Sequence, residues 1–91
     1  MVKLIYTDSY VKRAKKFAAL HPDIIPQYEK TLKLLEVNPY HPSLGLHKLK
    51  GKLKELYSVS INIAYRICLD FIIDDNRIIL IDVGSHDDVY K

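Results

Sequence analysis

Four histidines, one cysteine and an arginine set between apolar neighbours are the residues of this 91-residue chain best suited to chemistry. His47 opens a lysine-rich run and His86 follows Gly84-Ser85. Imidazole titrates near neutrality, so both suit proton transfer. His21 and His41 each precede a proline in turn-like sequence and are expected to be exposed and without a task. No two histidines stand four apart, and no cysteine or acid completes a tetrahedral set, so no metal site is expected. Cys68 falls inside a strand-like stretch and reads as a small apolar filler, not a nucleophile. There is neither a glycine-rich phosphate loop nor a GxSxG elbow, and no cofactor is expected.

Arg66 has apolar neighbours on both sides in a stretch that alternates with period two. A charged side chain placed there has to reach water or an anion. Its planar fork fits phosphate oxygens, and pairing with Asp70 or Asp82 is the plain structural alternative. Tyr90 offers an aromatic ring with a polar tip, suited to stacking on a nucleotide base or to anchoring on the rim of a sheet.

Charge is unevenly divided. Residues 1–66 hold 12 of the 14 Lys and Arg but 5 of the 11 Asp and Glu, a balance of +7, and residues 67–91 carry −4. Lys48, Lys50, Lys52 and Lys54 alternate within seven residues. Such a field draws a polyanion to one side of the molecule, or serves as a solvated surface. The apolar share of 48% and charged share of 27% exclude intrinsic disorder. No apolar run exceeds four residues, against the ~20 that span a bilayer, so neither a membrane span nor a signal peptide is expected. One cysteine suits a reducing compartment, and the cytoplasm is the expected location.

The elements that must position these residues follow from pattern. Residues 1–91 read as a single domain. Val2 to Tyr6 is a strand pattern, and Thr7, Asp8 and Ser9 offer N-caps for a helix. That helix has Tyr10, Ala14, Phe17 and Ala18 on one face, and Lys12, Arg13, Lys15 and Lys16 on the other. His21-Pro22 ends it, Asp23 is the expected cap of a second helix, and Ile25, Tyr28, Leu32 and Leu35 form the second stripe. Asn38 to Leu46 is a loop. From Leu56 the period becomes two, with Tyr57, Val59 and Ile61 opposed to Ser58 and Ser60, and a turn at Asn62-Ile63. Tyr65, Ile67, Leu69 and Phe71 then oppose Arg66, Cys68 and Asp70. Asp74-Asp75-Asn76 is a turn signal, Arg77 to Val83 a strand, and the remainder a tail. The order β-α-α-β-β-β predicts an α+β domain, an antiparallel sheet with a helical hairpin on one face. The other face, with Ser58, Ser60, Arg66 and Cys68, is expected to be open to a ligand.

Taken in order, the basic helix pair, His47 to Gly51 (HKLKG), Leu56 to Ser58 (LYS), Ala64 to Ile67 (AYRI) and Ile81 to Tyr90 (IDVGSHDDVY) resemble the RelE/ParE superfamily of toxins, in particular the YafQ- and RelE-type messenger-RNA endonucleases. The resemblance covers nearly the whole chain. It implies a toxin that enters the ribosomal A site, cuts the message there, and is neutralised by a cognate antitoxin, here expected to be acidic. It also implies a catalytic set of His47, Arg66, His86 and Tyr90, with Arg66 on the scissile phosphate. Lys12, Lys15, Lys16, Lys48, Lys50, Lys52, Lys54, Ser58 and Ser60 are then expected to meet RNA or the ribosome. The family commonly has lysines, or a histidine and an acid, where this chain has Ser58, Ser60 and Ala64. Two alternatives accompany the reading: a ParE-like inhibitor of DNA gyrase, and a weakened toxin that binds without cutting.

Overall fold

The computed structural model describes residues 1–49, 56–72 and 76–85. Strand β1 (Lys3–Tyr6) is followed by helices α1 (Asp8–Leu20) and α2 (Ile25–Val37), joined through a 3-10 turn at Pro22–Ile24. A second 3-10 turn, Pro42–Leu44, leads to strands β2 (His47–Lys48), β3 (Tyr57–Ser60), β4 (Tyr65–Ile72) and β5 (Arg77–Ser85). The five strands lie in the order β1-β5-β4-β3-β2. Two helices packed on one face of a sheet make the α+β class expected from the sequence.

The sheet departs from expectation in three ways. It is mixed, because β1 runs parallel to β5, with Lys3 opposite Arg77 and Tyr6 opposite Leu80. A parallel pair needs a long crossover, and α1, α2 and the strands between them provide it. The lysine-rich run contributes a strand of its own, β2, paired antiparallel with β3 through His47–Ser58 and Lys48–Tyr57. Finally, β5 continues through Gly84 and Ser85, which pair with Arg66 and Tyr65 rather than starting a tail.

Local chemistry explains the helix ends. Of the three cap candidates, Thr7 serves: its Oγ1 accepts the Tyr10 amide at 3.2 Å and donates to the Leu80 carbonyl at 2.9 Å. Asp23 does not cap α2, because it lies inside the 3-10 turn, and the residue before α2, Ile24, makes no side-chain cap. Pro26 sits in the first turn of α2, where a missing N–H costs little.

The main core joins Tyr10, Phe17 and Leu35 from the helices to Val59, Ile67, Leu69, Ile78 and Leu80 from the sheet, with Leu44 closing it. Tyr28 and Leu32 pack against it, and Ile24 takes the place expected of Ile25. A β-bulge between Cys68 and Leu69 leaves β4 opposite an extra residue of β5. The inward positions of β5 therefore run Ile78, Leu80, Val83, and Asp82 escapes the core that strict alternation would give it. The second face is not open along its length. Leu49 and Cys68 are buried there, with Leu56 and Ile81 packed on them. Burial pushes the Cys68 thiol up to about 11, with Asp82 and Asp70 adding to the shift. Among the described residues no helix is long and apolar enough to cross a membrane.

Candidate functional site

Arg66 lies in β4 between core residue Ile67 and Tyr65, so alternation sends it to the face away from the helices. Its guanidinium is held from three directions. Nε donates to Ser58 Oγ at 2.9 Å, and Nη2 donates to the Gly45 carbonyl at 3.2 Å. The same Nη2 is 3.3 Å from His47 Nδ1, which is itself 3.2 Å from the Gly45 carbonyl. Neither Asp70 nor Asp82 pairs with this arginine; Asp82 accepts from Arg13 of α1 at 3.3 Å. Arg66 Nη1 has no partner among the described residues.

The backbone makes the arrangement possible. His47 stands opposite Ser58 in the β2–β3 pair, and Ser58 stands opposite Cys68, two residues beyond Arg66. Gly45 ends the Pro42–Leu44 turn at φ +55°, a left-handed conformation that costs glycine nothing. That turn aims its carbonyl at both Arg66 and His47. A Cβ on residue 45 would lie 4.0 Å from Arg66 Nη2, an ordinary contact, so the demand for glycine comes from the backbone angle.

The hydrogen-bond geometry of His47 fits two tautomers. With its proton on Nδ1 the ring donates to Gly45, and Nε2 has the lone pair of a base. With Nδ1 bare it accepts from Arg66, and Nε2 carries the proton of an acid. In both, Nδ1 is engaged with the protein. The proton on Nδ1 and the Arg66–His47 bond exclude one another.

The structure thus brings His47 and Arg66 together. Ser58 has no exposed surface and accepts from Arg66, so it is a partner of the arginine and not part of an open face. Ser60 is half-buried at the end of β3 and donates to the Asn62 carbonyl at 2.8 Å. Lys12, Lys15 and Lys16 are exposed on α1, and Lys48 is exposed on β2. Lys50, Lys52, Lys54, His86 and Tyr90 lie outside the described residues. The other two histidines are less idle than expected. His21 Nδ1 is 3.2 Å from the Tyr65 hydroxyl, with its ring packed on Phe17 and Tyr65. His41 Nδ1 accepts from the Ser43 amide and hydroxyl and caps the 3-10 turn. Gly45 is the site residue that sequence reasoning missed; its signal was the single glycine closing Pro42-Ser43-Leu44. A groove of about 800 Å³ between α1 and the end of β5 is lined by Lys12, Arg13, Lys16, His21, Tyr65 and Ser85 among others, and by neither Arg66 nor His47. Among the described residues no three His, Cys, Asp or Glu cluster as a metal site.

No protein-family model and no curated protein matches the sequence. Solved structures do. YafQ from E. coli strain BL21(DE3) superposes over 100% of both chains with a TM-score of 0.80 at 14% identity. The chain has the fold of the YafQ toxin. The E. coli DinJ-YafQ toxin–antitoxin complex matches over 99% of this chain and 98% of that one, with a TM-score of 0.77 at 16% identity. A conserved hypothetical protein of Helicobacter pylori matches over 96% and 97%, with a TM-score of 0.70 at 29% identity. The YafQ fold is the one the RelE/ParE resemblance implies, and it covers the helical hairpin and all five strands.

Proposed function

We propose that this chain is the toxin of a toxin–antitoxin pair and an endoribonuclease that cuts messenger RNA in the ribosomal A site. The observation that carries the reading is the Arg66–His47 pair, held by the Gly45 carbonyl on a YafQ-type sheet. RNA cleavage of this kind uses the ribose 2′-oxygen as nucleophile on the adjacent phosphorus. A base takes the 2′ proton, the P–O5′ bond breaks, an acid returns a proton to the departing 5′-oxygen, and a 2′,3′-cyclic phosphate remains. The guanidinium of Arg66 offsets the extra charge on the phosphorane oxygens. His47 Nε2 fits one of the two proton transfers, and His86 is proposed for the other, with Tyr90 stacked on a base. No metal or small-molecule cofactor enters the scheme.

The antitoxin is proposed to be acidic, matching the +7 balance of residues 1–66, and to order as it wraps the basic surface. The protein that DinJ binds in the solved complex has this fold. Induced expression in cells, with mapping of message 5′ ends, tests the reading. Cuts that fall in codons on translated messages support it. Intact messages on occupied ribosomes would instead indicate a weakened toxin, and intact messages with inhibited DNA gyrase a ParE-like one.

A further inference from the structure

A buried hydroxyl beside a half-buried arginine has to do something other than meet solvent. Ser58 has no exposed surface, so an RNA strand cannot touch it in this arrangement. Its Oγ receives the Arg66 Nε–H at 2.9 Å, while the Gly45 carbonyl receives Nη2 at 3.2 Å. Nε–H and Nη2–H form one edge of the planar guanidinium. Two fixed acceptors on that edge set both the rotation of the plane and its depth, and Nη1 has no partner among the described residues. An arginine side chain otherwise has several rotatable bonds, and a phosphate would have to pay for ordering them.

We infer that Ser58 is a positioning residue for Arg66, which with the Gly45 carbonyl locks the guanidinium edge so that Nη1 is presented ready to a phosphate oxygen. The inference rests on the proposed RNA chemistry for its consequence, though not for its geometry. A preorganised donor is worth most where charge develops in the transition state, so a loosened Arg66 costs rate more than docking. The role differs from that of a binding residue, whose removal would raise KM.

The test uses the full chain with Ser58→Ala and Ser58→Thr, checked for folding by thermal unfolding, in two measurements. In nitrogen-15 NMR, the Arg66 Nε–H should exchange slowly in the wild type, quickly in Ser58→Ala, and slowly again in Ser58→Thr, which restores the hydroxyl. In single-turnover cleavage on programmed ribosomes, Ser58→Ala should lower the rate ~10–10²-fold with KM unchanged. It should cost nothing further in an Arg66→Ala background. An unchanged Nε–H exchange rate in Ser58→Ala would overturn the inference. So would an equal drop in rate with Arg66 already removed, or a rise in KM alone. If the wild type cuts no message but the exchange pattern is as expected, the proposed function fails and the positioning stands.

Discussion

Arg66 carries the sharpest expectation at the scale of single residues. In the proposed reaction its charge acts on oxygens that gain charge only in the transition state, so Arg66→Ala should slow single-turnover cleavage by ~10²-fold or more. Ribosome affinity, measured by co-sedimentation, should hardly change. Arg66→Lys should not restore the rate, because an ammonium cannot span the Ser58 hydroxyl and the Gly45 carbonyl while presenting a further donor. His47→Gln should remove one limb of the pH–rate profile if Nε2 moves a proton. Cys68 makes a different point. Its thiol is held protonated by burial, at about 11 against a usual 9.0. A group raised in this way contributes its full stability below its unfolded value and loses it as pH climbs from 9 toward 11. Urea unfolding at pH 10.5 should show stability ~2 kcal/mol below that at pH 8 from the thiol alone. Tyr10 and Tyr28 are also pushed upward by burial, so Cys68→Ala is the control that isolates the sulfur.

At the scale of the element, Thr7 ties the start of α1 to the sheet. Thr7→Ala removes a cap and a hydrogen bond to Leu80, and should cost roughly 1.5–2.5 kcal/mol in denaturant unfolding. Thr7→Ser should recover most of it. This cap was legible in the sequence as one of three adjacent candidates, and so was β4, whose alternation of Ile67 and Leu69 against Arg66 and Cys68 is regular. Other elements were not legible, each for its own reason. Two residues, His47–Lys48, have no period, so β2 exists only through its pairing with β3. The bulge that turns Asp82 out of the core is a property of two strands together and leaves no mark on either. The parallel pairing of β1 depends on where the helical hairpin returns the chain. The site was half legible for the same reason. A mid-strand arginine announces itself, whereas a backbone carbonyl such as that of Gly45 is carried by every residue and acquires a role only in three dimensions.

For the molecule as a whole, charge decides what approaches and from which side. Lys12, Lys15 and Lys16 stand exposed on α1. They should bind RNA phosphates without reading bases. Replacing each by Gln should flatten the log–log salt dependence of ribosome binding by roughly 0.7–0.9 for every phosphate no longer neutralised. An unchanged slope would make them a solubilising surface. Two of these lysines, Lys12 and Lys16, border the groove between α1 and the end of β5, so an acidic partner should compete with the ribosome for them. That competition should weaken as salt rises.

The parallel pairing of β1 with β5 also sets a clock. Lys3 finds its strand partner in Arg77, and Thr7 finds the Leu80 carbonyl that anchors the first helix. The Met1 carbonyl and the Lys3 amide are both held by Asn76. During synthesis at ~5–20 residues per second, β1 waits about 4–15 s before its neighbour exists. The sheet cannot close in that interval, and β4, which carries Arg66, lacks β5 along one edge. Arg66 therefore gains the second neighbour of its strand only after residues 77–85 have been made.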